Sequence, residues 1–292
     1  MAPDTDEYTL PSKPARRPRR AAYALPTLFT AGNVFLGFIA ILRACKGALY
    51  AHDGHLGANP DFEVAAKAIG LAVVLDGLDG RIARMTNTVS DFGREMDSLA
   101  DVITFGIAPA VLAYTWGVQF VHLPSQILDE RAGYFLSFLF LLCGAARLAR
   151  FNVTTNPVPK NPGRKDRKYF VGMPIPAGAA MIAAIVYFAP GSEPLQWWVQ
   201  SALWLALLGL LSFLMVCTWR YPSFKHVNLS GPRSPLLLVL FGVVIYLAWN
   251  FPQPVLLLIM VLYVASGILI RAGGIVRRIF RRREPQPEHQ VG

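Results

Sequence analysis

The chain has 292 residues and a formal charge of +10, from 28 Lys+Arg against 18 Asp+Glu, yet 54% of it is hydrophobic and only 16% is charged. Its mean hydropathy is +0.40, whereas soluble domains carry about a quarter charged residues. Lipid is therefore the solvent for most of the surface, and a soluble Rossmann or TIM-barrel enzyme and intrinsic disorder are both excluded. The apolar residues come in long runs, as over 236–247 and 255–270, and not in alternating ten-residue segments. That excludes an outer-membrane barrel and leaves an all-α, polytopic integral membrane protein.

The first 22 residues are polar and end in a basic cluster, Arg16, Arg17, Arg19 and Arg20. Their length and acid content argue against a cleavable secretory signal. At about 20 residues per span, helices are predicted over 24–45, 62–84, 96–119, 132–150, 172–190, 197–217, 235–249 and 253–271. The seventh is the shortest, and 250–254, Asn-Phe-Pro-Gln-Pro, reads as its turn into the eighth. Cys45, Cys143 and Cys217 are far apart, and read as reduced packing residues. The basic residues flank spans and show no zinc-ligand spacing or aromatic interleaving, so nucleic acid is not an expected partner.

Positive charge is retained on cytoplasmic flanks. With eight spans, 24 of the 28 Lys and Arg fall on one face, and Arg43, Lys46, Lys67 and Arg131 fall on or toward the other. Both termini are accordingly expected in the cytoplasm, together with segments 81–96 and 151–171. The tail from Arg271 onward is basic and expected near anionic headgroups.

Chemistry concentrates in 76–101, DGLDGRIARMTNTVSDFGREMDSLAD, which holds six of the eighteen acids. Asp76 and Asp79 are i, i+3 near the end of the second span, and Asp97 and Asp101 are i, i+4 at the start of the third. Each pair shares one helix face, and a short loop folds the two helices into an antiparallel hairpin. Carboxylates converging at membrane depth repel and pay a desolvation cost unless cations lie between them. Hard oxygen ligands suit Mg²⁺ or Mn²⁺, and two bridged ions would suit a diphosphate. Gly80 and Ala83 leave room for a phosphate ligand against the backbone, and Arg84 carries a planar fork for its oxygens. Asp91 and Glu95 read as solvated loop and helix-start acids.

Asp76-x2-Asp79-Gly80-x2-Ala83-Arg84-x8-Gly93-x3-Asp97-x3-Asp101 resembles, position for position, the motif of the CDP-alcohol phosphatidyltransferase family. The resemblance implies a six-helix core with a divalent-metal site. It divides the chain into a cytoplasmic basic segment 1–22, a core 23–218, a loop with two additional helices 219–271, and a basic tail 272–292. By the same resemblance Asp76, Asp79, Asp97 and Asp101 bind metal, two Mg²⁺ or Mn²⁺ ions in all, and Asp101 is also the base. Gly80, Arg84 and Ser90, with Thr30 and Asn33 of the first span, are assigned to CDP-diacylglycerol.

Three further segments are similar to the phosphatidylserine synthase branch of that family: 25–33, LPTLFTAGN, with Thr27 where branch members often have Asn; 147–152, RLARFN; and 172–177, GMPIPA. The branch implies transfer of a phosphatidyl group from CDP-diacylglycerol to L-serine in a bacterial inner membrane. Arg147 and Arg150, at i, i+3 on a helix end, are then candidates for the serine carboxylate and Asn152 for its amino group. The competing reading of these arginines is a positive-inside flank. Membrane lipids are expected partners, and a homodimer is an allowed assembly. Two alternatives stay open: another acceptor, such as glycerol 3-phosphate, inositol phosphate or choline, and a cation-coupled transporter, since intramembrane acids also mark ion paths. The transporter reading is weakened because spans five to eight are nearly free of polar groups. No histidine is a convincing ligand. Pro174 and Pro176 read as first-turn residues, and Trp197, Trp198, Trp219, Trp249 and Tyr221 as interfacial anchors.

Overall fold

In this computed structural model residues 20–86, 91–121, 130–155, 169–222, 242–243 and 246–281 are described. The long apolar runs become helices: α1 Arg20–His52, α2 Pro60–Thr86, α3 Asp91–Asp101, α4 Ala108–Gly117, α5 Glu130–Thr155, α6 Ile175–Phe188, α7 Trp198–Val216 and α8 Pro252–Arg281. Among the described residues, five helical stretches are long and apolar enough to cross a membrane: Leu28–His52, Phe92–Gly117, Glu130–Val153, Trp198–Val216 and Pro252–Arg271. Large apolar side chains face outward along them, Phe35 and Phe38 on α1, Phe135 and Phe138 on α5, Leu258 and Leu262 on α8. That is the surface a helical membrane protein offers to acyl chains. The all-α integral membrane architecture expected from composition is the one observed.

Two helices outside that set occupy the middle of the bundle. α2 carries Asp76, Asp79 and Arg81 among its apolar residues, with Leu71, Val74 and Leu78 exposed on one side and Asp79 buried on the other. It packs along α1 and against α6 and α4, which takes its polar face out of the bilayer. α6 has 14 residues, about 21 Å at 1.5 Å per residue, and is shorter than the expected 172–190. Pro174 caps its start in an extended conformation, and the residue before Pro190 has left the helical region, as the steric clash with a following proline favours. It need not match the hydrocarbon thickness, because Gly178, Ala179, Ala180 and Ile182 are buried among neighbouring helices. Its small residues allow close helix approach, the main source of packing energy between helices in lipid.

The expected third span, 96–119, starts five residues earlier and is not uniform. Between α3 and α4 lies a π-helical segment, Val102–Ile107, beginning immediately after Asp101. Thr104 of this segment is fully buried and its hydroxyl donates to the Asn33 carbonyl of α1 at 3.0 Å. Gly37 makes room for it: a Cβ there would lie 2.6 Å from Thr104 Oγ1 and 2.8 Å from its Cα.

Beyond the helices, the described residues form one two-stranded ladder, β1 Tyr169–Val171 antiparallel to β2 Arg220–Pro222, with Phe170 opposite Tyr221. The chain leaves it through Gly172, at φ +78°, whose N–H donates to Trp219 O at 2.8 Å. Met173 N–H then donates to Leu214 O at 2.9 Å, which fixes the start of α6 on the end of α7. Tyr221 is fully buried in this corner, under α8, so it is a packing residue and not the interfacial anchor its position near a span end suggests. Trp249 is 85% exposed, as an anchor should be. The expected seventh span, 235–249, lies largely outside the described residues, which are helical at 246–250.

Candidate active site

α2 and α3 bring the acids together. One carboxylate oxygen from each of Asp76, Asp97 and Asp101 lies within 4.8 Å of the others. Asp79, one turn from Asp76, is 5% exposed and interacts electrostatically with Asp76 and Asp97. Oδ2 of Asp79 and Oδ1 of Asp101 are buried with no hydrogen-bond partner among the described residues. No lysine or arginine among them forms a salt bridge to any of the four, whereas the acid at the opposite end of α2, Asp61, is held by Arg43 at 2.7 Å and Lys46 at 3.6 Å. Buried orphaned carboxylate oxygens are costly. A set of four, at the spacing that the i, i+3 and i, i+4 offsets impose, is a vacant-charge arrangement that a hard cation would relieve.

The C-terminal end of α5 closes over this group. Arg147 is 8% exposed, makes no salt bridge among the described residues, and stacks its guanidinium over Phe151 at 5.4 Å from the ring centroid. It interacts electrostatically with Asp101. One turn on, Arg150 serves a different purpose: Nη1 donates to Val216 O at 3.1 Å, an orphan carbonyl at the end of α7. Its Nη2 is buried without a partner, close to Gly172. The Asn152 amide donates to Ser98 Oγ at 2.8 Å, and Ser98 Oγ donates to Arg94 O at 2.9 Å. Asn152 thus ties the end of α5 to α3 one residue past Asp97.

A sequence model described as CDP-alcohol phosphatidyltransferase matches residues 23–211, which include both acid pairs, Arg147 and Arg150. The chain belongs to this family. It is 37% identical over 268 residues to the CDP-diacylglycerol--serine O-phosphatidyltransferase of Helicobacter pylori strain 26695, covering 91% of this chain and 98% of that one. The protein of the same name from Bacillus subtilis is 33% identical over 202 residues, 69% of this chain and 91% of that one. The archaetidylserine synthase of Methanothermobacter thermautotrophicus is 34% identical over 209 residues, 71% of this chain and 73% of that one.

Members of this family generally use divalent metals, and the donor set here fits such an ion: all ligands are carboxylate oxygens, and two of them are buried without partners. Of the family positions assigned to CDP-diacylglycerol, Gly80 is half-buried on α2 with its backbone amide at the Asp79 carboxylate. Thr30 and Asn33 are buried on α1, which packs along α3 and the π segment. Both amide atoms of Asn33 lack a partner among the described residues, although its backbone carbonyl holds Thr104. Ser90 and the side chain of Arg84 lie outside the described residues.

Four contributors escaped the sequence reading. Phe151, at i+4 from Arg147, carried a usable signal in that spacing. The Ser98 link to Asn152, the Thr104 anchor and the π segment carried none, because each depends on a partner more than fifty residues away or on a helical register that composition does not encode.

Proposed function

We propose that this integral membrane enzyme transfers the phosphatidyl group of CDP-diacylglycerol to L-serine, giving phosphatidylserine and CMP, on the cytoplasmic side of a bacterial inner membrane. The observation that carries the choice of acceptor is Arg147, a buried guanidinium without a salt bridge, set beside the acid cluster. A buried unpaired cation is costly, and the carboxylate of serine relieves it with a planar, bidentate match. Relatives named CDP-diacylglycerol--serine O-phosphatidyltransferase, and one named archaetidylserine synthase, support the same reading.

Asp76, Asp79, Asp97 and Asp101 would hold two Mg²⁺ or Mn²⁺ ions, which supply charge neutralisation for the diphosphate and its departing oxygen. The chain's own residues do the rest. Gly80 keeps the α2 surface low where the phosphates lie, with Arg84, Ser90, Thr30 and Asn33 as further donor-side residues. Arg147 turns the serine so that its hydroxyl faces Asp101, and Arg150, through Nη2, is the second candidate for the carboxylate. Asp101 accepts the hydroxyl proton as the serine oxygen bonds to the β-phosphorus and the bond from that phosphorus to the CMP oxygen breaks. Asn152 holds α3 in place by donating its Nδ2 to Ser98 Oγ, and its Oδ1 is the atom suited to accept from the serine amino group. Burial of the acids keeps water from competing for the same phosphorus.

The deciding assay offers the purified protein CDP-diacylglycerol with Mg²⁺ or Mn²⁺ and a panel of alcohols, and measures released CMP. Serine-dependent release that a chelator abolishes is expected. Equal use of ethanolamine, which lacks the carboxylate, or preference for glycerol 3-phosphate or an inositol phosphate, would overturn the choice of acceptor while leaving the family chemistry intact.

A further inference from the structure

Ser98 joins the two helices that build the site. On α3 it follows Asp97 directly and precedes Asp101 by three residues, so it is one turn from the proposed base. Its single proton is already committed: Oγ donates to Arg94 O, one turn back along α3, at 2.9 Å. A carbonyl oxygen only accepts, so the hydroxyl has only its lone pairs left for a second partner. The α5 side chain that meets it supplies the complement, with Asn152 Nδ2 donating to Ser98 Oγ at 2.8 Å across 54 residues of chain.

The three groups therefore form a chain of one polarity, from the Asn152 amide through the Ser98 hydroxyl to the Arg94 carbonyl. An Asn152 amide turned over would set Oδ1 against an oxygen with no proton to give, and the lost bond would cost about 0.5–1.5 kcal/mol. With Nδ2 held on Ser98, the other end of the amide is Oδ1, an acceptor with two lone pairs. It stands about one turn of α3 from Asp101. A serine whose hydroxyl meets Asp101 carries its ammonium group on the neighbouring carbon, within reach of that oxygen.

We infer that Ser98 is a specificity-determining positioning residue: by accepting from Nδ2 it fixes the polarity of the Asn152 amide, so that the site favours a hydroxy acid bearing an ammonium group over one without it. This rests on the proposed transfer to serine, and the test separates the two. Two constants are compared in the full-length protein: the KM for L-serine, and the inhibition constant of 3-hydroxypropanoate against serine, which keeps the hydroxyl and carboxylate and lacks the amino group. Ser98→Ala is expected to raise the serine KM about tenfold, the lower range for a hydrogen bond to a charged group. The constant for 3-hydroxypropanoate, the KM for CDP-diacylglycerol and Mn²⁺ binding should stay unchanged. Ser98→Thr keeps the hydroxyl and its bond to the preceding turn, and should restore the serine KM. Combined with Asn152→Ala, Ser98→Ala should add little, because both act through one amide. If Ser98→Ala leaves the serine KM unchanged, or weakens serine and 3-hydroxypropanoate alike, or lowers Mn²⁺ binding, Ser98 only supports α3 and the inference is overturned while the proposed function stands. Absence of serine-dependent CMP release from the unsubstituted protein would instead overturn the proposed function, and the inference with it.

Discussion

At the scale of single residues, the four aspartates stand together on two helices, and carboxylate oxygens of Asp79 and Asp101 are buried without a hydrogen-bond partner among the described residues. Asp61 shows the contrast, since it sits between Arg43 and Lys46 and needs no ligand. Removing one charge from the cluster should therefore cost metal binding before it costs folding. Asp76→Asn or Asp97→Asn is expected to lower CMP release at least about a hundredfold, and to weaken Mn²⁺ binding measured directly on the purified protein, with the elution profile in detergent unchanged. Full activity in either variant would remove the basis of the metal site. Arg147→Ala should raise the serine KM about 10- to 100-fold, the range for loss of a charge-assisted hydrogen bond of about 1.5–3 kcal/mol. Arg147→Lys should recover only part of that, because a point charge cannot reproduce a bidentate fork. The spacing of the acids was legible from helical periodicity. The different fates of Arg147 and Arg150 were not: both sit at one helix end three residues apart, and only the position of Val216 O decides that Arg150 serves the end of α7.

Among the elements, the hairpin of α2 and α3 presents the acids, and α1 packs along both helices and anchors the π segment that follows Asp101. Thr104 is locked onto the Asn33 carbonyl across the space Gly37 leaves open, and the π segment that carries Thr104 starts directly after Asp101. A π segment inserts a register shift, so the same sequence in a regular helix would turn α4 to a different face. Gly37→Ala weighs two effects. Alanine gains about 1 kcal/mol of helix propensity, while overpacking against the Thr104 side chain and backbone costs about 1–3 kcal/mol. Because the obstacle includes Thr104 Cα, which cannot rotate away, the cost should prevail. The expected result is a lower melting temperature and a loss of activity larger than the loss of folded protein, since the strain falls three residues from Asp101. Unchanged activity and melting temperature would show that α1 does not set the acids. Seven of the eight predicted spans correspond to described helices, the third of them broken into α3, a π segment and α4, while 235–249 lies largely outside the described residues; the boundaries moved where proline and glycine chemistry intervened, at Pro174, Gly172 and Pro190.

Over the whole molecule, the asymmetry of positive charge has a structural counterpart. Three of the four cations assigned to the minority face are paired: Arg43 and Lys46 with Asp61, and Lys67 with Glu63 at 2.6 Å, with Tyr187 beneath it at 5.3 Å. A reporter fused after Gly292 and one inserted at Gly163 should both be cytoplasmic. Opposite faces for the two would mean an odd number of spans between them and a different reading of the region around 235–249.

Sequence alone determined the solvent of the protein, its helical class and the residues able to carry its chemistry, because hydrophobic run length and the i, i+3 and i, i+4 offsets are local properties of the chain. What the tertiary structure decided is which polar groups meet. It put Asp76 of α2 beside Asp97 and Asp101 of α3, set Arg147 over the Phe151 ring while Arg150 caps α7, and joined Thr104 to the Asn33 carbonyl from seventy-one residues away. Such encounters follow from small residues such as Gly37 and Gly267 that let helices approach. In a bilayer, where burial from water no longer drives helices together, close packing selects the partners, and that selection depends on all the helices at once.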